Sequence, residues 1–196
     1  MRVAFKNSFY NGKFDGIYGI GITFRNWLSG CFNSKAHVEI IFTISAEMLV
    51  KLRKVFPTQF LKATVGSQLS YSSIETDTDE FGNEVHGARF KLICYSHYDR
   101  WDFLPWNIKD KRFARPWPST YALFLYCLSR VGKVKYDWEG ILGQAVGLDS
   151  LDNNQETFCS EEVGELMGFM NNPSPAKLYN QMCAVLNKVT TKEVIK

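Results

Sequence analysis

The amino-acid sequence predicts an α+β fold. An apolar run at residues 37–43 is typical of a buried strand, and residues 68–74 and 89–95 alternate polar and apolar side chains as half-buried strands do. Residues 120–128 and 159–170 instead repeat apolar residues at helical spacing. Strong strand and helix patterns within one short chain indicate a sheet with helices packed on it.

The first predicted features are a glycine-rich segment and a short helix. Glycines recur through residues 10–21, but the Gly19 and Gly21 pair does not continue into the G-x-G-x-x-G pattern of a nucleotide-binding loop. We therefore expect a glycine-rich approach to the core, followed by a short helix over residues 23–28 that ends at Gly30.

The strand at residues 37–43 leads into a well-marked helix. Ser45 is a typical N-cap residue, Glu47 lies in the first turn, and lysines follow towards the end. Because Pro57 cannot continue a helix, we expect this one over residues 46–55.

The middle of the chain predicts the second and third strands, separated by an acidic, turn-rich loop at residues 76–83. Tryptophans, prolines and charges are mixed through residues 100–118. We expect that segment to be a surface loop with aromatic anchors.

The remaining predicted elements are helices and the loops between them. Pro118, Ser119 and Thr120 open a helix that runs to Leu128. We expect a helical turn at 140–146 and a polar loop at 150–157. The helix at 159–170 should end at Asn171, Asn172 and Pro173. A further helix is expected at 175–186, followed by a frayed polar tail from Asn187.

The size and composition predict a single domain over residues 1–196. The hydrophobic fraction of 45% allows a core without disulfides or metal. Basic and acidic residues nearly balance, 23 against 20, so the net charge of +3 does not predict a nucleic-acid partner.

The sequence shows no targeting or cofactor signal. No apolar run approaches the ~18–20 residues that span a bilayer, and the first residues lack the apolar region of a secretory signal. The five cysteines form no C-x-x-C pair, so neither a zinc site nor a disulfide framework is indicated. We expect cytoplasmic synthesis in a reducing compartment and no cofactor.

Cys159 is the strongest candidate for a chemically active residue. It lies among polar residues at the predicted start of a helix, where unpaired backbone N–H groups and the helix dipole can favour a thiolate. Most free cysteines are instead small buried residues. That interpretation suits Cys94 and Cys127 better, because both lie within apolar patterns.

His37 is the candidate partner of that thiol. It lies on the first predicted strand, and the side chain of Glu39 leaves the same face two residues later. A carboxylate beside an imidazole orients it and stabilises its charged form. The alternatives are a core histidine bonded to a backbone carbonyl and a solvated glutamate. His86 and His97 lie beside turn sequences, and no H-x-x-x-H spacing indicates a zinc hydrolase.

Four segments carry a resemblance to a known superfamily. They are Ala-His-Val-Glu-Ile at 36–40, Tyr-Ser-Ser at 71–73, Tyr-Asp-Trp-Glu-Gly-Ile-Leu-Gly at 136–143 and Phe-Cys-Ser-Glu-Glu-Val at 158–163. In this order they resemble the circularly permuted branch of the NlpC/P60 papain-like superfamily, and within it the YiiX/YaeF-like group of bacterial and phage proteins. The resemblance covers a core of about residues 17–170 and leaves 171–196 as a C-terminal extension.

The resemblance implies a permuted papain-like fold, in which an antiparallel sheet carrying the histidine packs against the cysteine-bearing helix. It implies Cys159 as the nucleophile and His37 as the general base. Glu39 ranks first as the third residue, which orients the histidine, because a carboxylate is the stronger orienter. The alternatives are three polar residues of the next predicted strand, Gln68, Ser70 and Ser72.

Residues expected to bind substrate or the oxyanion are Tyr136, Ser160 and Ser72. Tyr136 resembles the tyrosine that lines NlpC/P60 sites. The chain departs from the usual pattern in having Cys-Ser-Glu in place of Asp-Cys-Ser-Gly. This departure weakens the implication that peptidoglycan is the substrate.

Two functions from different classes fit these features. The first is a cysteine hydrolase or acyltransferase that acts on an amide or ester bond of a peptide, peptidoglycan or acyl-ester substrate. The second is a non-catalytic structural or interaction module on the same fold, such as a phage virion component with a protein partner. The aromatic segment 101–106 suits an interface, a lid or simple packing.

Overall fold

A central antiparallel sheet organises the structure. The computed structural model describes residues 1–14, 16–28, 30–78, 84–93, 100–136, 156–157, 159–169 and 173–193. The strands are, in chain order, β1 (Arg2–Asn7), β2 (Phe9–Tyr10), β3 (Lys13–Phe14), β4 (Lys35–Thr43), β5 (Gln68–Thr78), β6 (Glu84–Leu92), β7 (Trp101–Pro105), β8 (Lys135–Tyr136) and β9 (Glu156–Thr157). Five of them form one sheet in the order β6–β5–β4–β1–β7, with every neighbouring pair antiparallel.

The described residues include five helices. They are α1 (Gly16–Leu28), α2 (Ala46–Val55), α3 (Thr120–Arg130), α4 (Cys159–Met167) and α5 (Pro175–Glu193). The α+β class predicted from the sequence is therefore confirmed.

The hydrophobic core lies between one face of the sheet and four of the helices, α2 to α5. Alternating residues of β1 and β4 point to this face, because successive side chains of a strand leave opposite sides. The residues buried together there include Val3, Phe5, Val38, Ile40 and Phe42 from the sheet, and Phe124, Val163, Leu166, Leu178 and Met182 from α3, α4 and α5. This packing holds α4, the helix that Cys159 begins, against β4 and β5.

Local capping signals in the sequence are confirmed. Helix α2 has the predicted bounds, and the Ser45 hydroxyl accepts a hydrogen bond from the Met48 N–H at 3.3 Å. Helix α3 begins at Thr120, where the Ser119 hydroxyl accepts one from the Ala122 N–H at 3.0 Å.

The expectation of a surface loop over residues 100–118 is wrong at its start. Residues 101–105 form β7, which pairs with β1 from Lys6–Trp101 to Arg2–Pro105. Strand β1 itself carried no prediction, since its buried residues Val3, Ala4 and Phe5 are contiguous and do not alternate. Strand β1 pairs with β4 on one side and with β7 on the other, and these are tertiary contacts that neither segment displays alone.

Other boundaries also differ from the expectations. Helix α1 begins at Gly16 and not at Thr23 as expected, so the second half of the glycine-rich segment is helical. Strand β5 continues to Thr78, into the expected loop 76–83, and β6 begins at Glu84, earlier than the expected residue 89. Residues 79–83 of that loop and residues 94–95 of the expected strand lie outside the described residues. Helix α4 ends at Met167 and α5 continues to Glu193, where a frayed tail was expected. The expected helical turn at 140–146, and all but the last two residues of the loop at 150–157, lie outside the described residues; those two form β9.

Candidate active site

Cys159 is the first residue of α4 and is 4% exposed. The N–H groups in the first turn of a helix have no intrahelical acceptor and carry the positive end of the dipole. The predicted position of Cys159 at the start of a helix is therefore confirmed.

His37 on β4 makes contact with that thiol. Burial alone lowers the pKa of His37, but the charge and hydrogen bond of Cys159, followed by those of Glu39, raise it to about 10. The structure thus brings together two residues that are far apart in the chain. An imidazole whose charged form is stabilised in this way can hold the proton of the thiol.

Glu39 and Ser72 both approach the same nitrogen of the imidazole. Glu39 Oε1 lies 3.4 Å from His37 Nε2, and Ser72 Oγ lies at the same distance. The Ser72 hydroxyl also donates to the Val38 carbonyl at 2.9 Å. Because that bond uses the only hydroxyl proton, Ser72 can face Nε2 only as an acceptor, and an Nε2–H can be shared between the two oxygens.

The other two candidates for the third residue are bonded elsewhere. Gln68 contacts Arg2 at 3.4 Å and Thr43 at 3.0 Å, and the Ser70 hydroxyl donates to the Lys91 carbonyl at 3.3 Å. Of the three polar residues predicted on this strand, Ser72 is the one placed at His37. Its position lies just beyond the Ile40–Tyr71 pair of the β4–β5 register.

Trp101 is a site residue that sequence reasoning missed, because the segment was expected to be a loop. Its ring meets the imidazole of His37 edge to face, with centroids 5.7 Å apart at 82°. The β1 register explains the contact, since Lys6 pairs with His37 on one side and Trp101 on the other. An aromatic wall beside the imidazole limits its rotation and its access to water.

The expected substrate-contacting residues Ser160 and Tyr136 are placed less directly. The side chain of Ser160 is fully buried, and among the described residues its hydroxyl oxygen has no hydrogen-bond partner. Tyr136 lies on β8 and pairs with Thr157, so its backbone is beside the segment that leads to Cys159. Its side chain, like that of His86, lies outside the described residues, and so does the whole of His97.

A buried ionic network fixes α4 one turn after Cys159. The Arg130 guanidinium donates two hydrogen bonds to the Glu162 carboxylate, from Nε to Oε1 at 2.7 Å and from Nη2 to Oε2 at 2.6 Å. The Tyr71 hydroxyl donates to Glu162 Oε1 at 2.5 Å. Burial and the Glu162 charge raise the pKa of Tyr71, so the phenol stays protonated and remains a donor. This network ties α4 to β5 and α3.

A second group of polar residues surrounds Lys35, two residues before His37 on β4. The Lys35 ammonium pairs with Asp102, donates to Asn7 Oδ1 at 2.6 Å and lies 4.4 Å from the centre of the Tyr179 ring. Burial lowers the pKa of Lys35 to about 8, although the neighbouring Cys183 acts in the opposite direction. These contacts attach α5 to the start of the strand that carries His37.

The described residues include neither a cluster of metal ligands nor a membrane-spanning helix. Within the part of the chain that the structure describes, no three His, Cys, Asp or Glu side chains come together as metal ligands would. No helix in those ranges has both the length and the apolar character of a membrane-spanning segment.

Comparisons with known proteins returned no relative. No family model matches the chain, no curated protein matches it, and no solved structure matches its fold.

The two oxygens at His37 Nε2 should differ in their effect on the thiol. We expect Glu39→Gln to slow alkylation of Cys159 at neutral pH roughly tenfold, because the carboxylate stabilises the charged imidazole. Ser72→Ala should slow it less, since a neutral acceptor stabilises that charge more weakly. Alkylation rates of the two variants measured side by side check this order, and a larger effect of Ser72→Ala would contradict the ranking of Glu39 as the third residue.

Proposed function

We propose that this chain is a cysteine hydrolase of permuted papain-like type, which cleaves an amide or ester bond through an acyl-enzyme. The observation that carries the proposal is the contact between the Cys159 side chain, at the start of α4, and His37, whose Nε2 faces Glu39 and Ser72. Nucleophile, base and orienting group in contact are the common requirement of thiol and serine acyl transfer.

The proposed reaction uses each group in one role. His37 takes the proton of the Cys159 thiol, and the thiolate attacks the carbonyl carbon of the substrate to form a tetrahedral oxyanion. The N–H of Cys159 and a second donor bind that oxyanion. Expulsion of the amine or alcohol, which receives the proton from His37, leaves a thioester. Water then attacks the thioester with His37 as base, releasing the acid and restoring the thiol.

The order of the elements supports the permuted arrangement. The strand that carries His37 precedes the cysteine helix in the chain, and the sheet that packs on this helix is antiparallel. This is the order that the resemblance to the circularly permuted NlpC/P60 branch implies. Peptides, peptidoglycan and acyl esters are the substrate classes with a bond of the right kind.

Selective labelling of Cys159 tests the proposal. Iodoacetamide at neutral pH should modify Cys159 faster than Cys183, which lies within α5 and is more exposed, because the His37 imidazole contacts Cys159 and can take its proton. His37→Ala should remove that preference. Mass spectrometry of peptides after short exposure gives both rates, and Cys183→Ser is the matched control for background labelling.

The outcome separates the two functions that the sequence left open. Preferential labelling of Cys159 that depends on His37 supports a hydrolase. Labelling of Cys159 no faster than that of Cys183 would favour a non-catalytic structural or interaction module, in which Cys159 is a buried core residue as its 4% exposure also permits.

A further inference from the structure

Helix α1 is attached to the protein through its polar side. Asn26 is buried, and its Nδ2 donates to the carbonyls of Asn33 and Lys35, both at 3.2 Å. The hydroxyl of Thr23 shares a 2.7 Å hydrogen bond with that of Ser8. These contacts fix the helix beside the start of β4, two residues before His37.

The opposite side of α1 presents apolar residues to solvent. Most surface helices do the reverse, with the apolar side inward and the polar side outward. The β2–β3 hairpin contacts α1 and extends the surface, with the rings of Phe9 and Phe14 at 4.7 Å from each other. We call this the aromatic surface; it consists of Phe9, Phe14, Ile20, Phe24, Trp27, Leu28 and Phe32, all of them exposed.

The segment that carries the aromatic surface has a net positive charge. Residues 9–32 contain two basic residues, Lys13 and Arg25, and one acidic residue, Asp15. Lys13 lies within the hairpin and is exposed, and Arg25 lies on α1 itself. A contiguous exposed apolar surface marks an interaction site, and this one combines aromatic rings with two basic residues.

That combination matches the surface of an anionic lipid bilayer. Tryptophan and phenylalanine partition into the region between headgroups and acyl chains, while lysine and arginine are attracted to anionic headgroups. With 13 residues, α1 is roughly 20 Å long, which is shorter than the ~30 Å hydrocarbon core. A helix of this length, with one side bound to its own protein, can lie on a membrane but cannot cross it.

We propose that the aromatic surface docks the protein onto the surface of an anionic lipid membrane. Phe24, Trp27 and Leu28 enter the headgroup region, and Lys13 contacts the anionic headgroups. Docking does not require the chemistry proposed for Cys159, so Cys159→Ala should bind vesicles as the unchanged protein does.

Co-sedimentation with lipid vesicles tests the proposal on the full chain. The protein should bind vesicles of phosphatidylcholine mixed with phosphatidylglycerol, and Leu28→Glu should weaken this binding by about tenfold or more. The matched control is Leu61→Glu, because both leucines are 66% exposed and Leu61 lies outside the aromatic surface. Lys13→Glu should weaken binding to the mixed vesicles while leaving the weaker binding to pure phosphatidylcholine unchanged.

Three results would overturn the proposal. The first is that the unchanged protein does not bind the mixed vesicles, and the second is that Leu28→Glu and Leu61→Glu lose binding equally. The third is that the protein does not bind vesicles but forms a dimer, seen by size-exclusion chromatography with light scattering, that Leu28→Glu disrupts. The last result would assign the aromatic surface to a second copy of the chain. Circular dichroism melts of each variant establish that the substitutions leave the fold intact.

Discussion

Replacing Glu162 with glutamine should lower the free energy of unfolding by about 3 kcal/mol, because it removes the buried charged partner of the Arg130 guanidinium and leaves only the half-exposed Glu165. Glu162 is fully buried, and it receives two hydrogen bonds from Arg130 and one from Tyr71. Glutamine keeps the shape of the side chain, so the loss measures the charge and not a cavity. Urea denaturation followed by circular dichroism gives the difference.

Glu165 provides the matched control for Glu162. It lies on the same helix and also contacts the Arg130 guanidinium, with Oε2 at 3.2 Å from Nη2, but its side chain is 46% exposed. An exposed ion pair is worth about 0–1 kcal/mol, so Glu165→Gln should have little effect. Equal losses for the two variants would mean that burial of Glu162 does not determine the strength of its pairing.

Replacing Gly168 with alanine should destabilise the protein by about 3 kcal/mol or more, since the new Cβ would meet backbone atoms of residues 114 and 115, which a hydrogen bond from the Arg115 N–H to the Met167 carbonyl holds against the end of α4. Gly168 has φ of +77°, and a Cβ there would lie 2.5 Å from the Arg115 nitrogen and 2.8 Å from the Ala114 carbonyl carbon. The glycine ends α4 with hydrogen bonds from Gly168 N–H to the Glu165 carbonyl and from Phe169 N–H to the Gly164 carbonyl.

Gly132 separates the two causes of that loss. It has a similar φ of +73°, but a Cβ there would have no heavy atom within 4 Å. Gly132→Ala should therefore lose only the roughly 1–2 kcal/mol of a left-handed alanine. Thermal and urea unfolding of both variants measure the two losses of stability. If Gly168→Ala loses no more stability than Gly132→Ala, the backbone at residues 114 and 115 shifts to accept the Cβ at no cost in free energy.

Elements whose signals are local could be predicted from the sequence. Helix α2 matched its expected bounds because Ser45 caps it and Pro57 follows it, and both act within a few residues. Strand β1 could not be predicted in the same way, because three contiguous buried residues carry no period. Strand β7 contains Asp102 and Pro105 and becomes a strand by pairing with β1.

The candidate site was predictable in its residue types and not in its geometry. The sequence shows a cysteine at a helix start and a histidine on a buried strand. The resemblance to the NlpC/P60 superfamily predicted that these two residues form a pair. The sequence predicted that Gln68, Ser70 and Ser72 share one strand, but it could not predict which of them lies at His37 Nε2. That depends on the point at which β5 stops pairing with β4. Trp101 reaches the imidazole only through the β1–β7 pairing.

The most direct test of the Cys159–His37 pair is the titration of the His37 imidazole by nitrogen-detected NMR. The pair predicts that His37 remains an imidazolium at pH 8 and loses its proton near pH 10, because Cys159 and then Glu39 raise its pKa against the effect of burial. In Cys159→Ala the largest of the raising contributions is gone, and the titration should move to lower pH. Cys159→Ser, which keeps a hydroxyl for hydrogen bonding but cannot carry the charge, should fall between the two. A His37 titration near 6.5 that is the same in all three proteins would contradict the pairing of these residues.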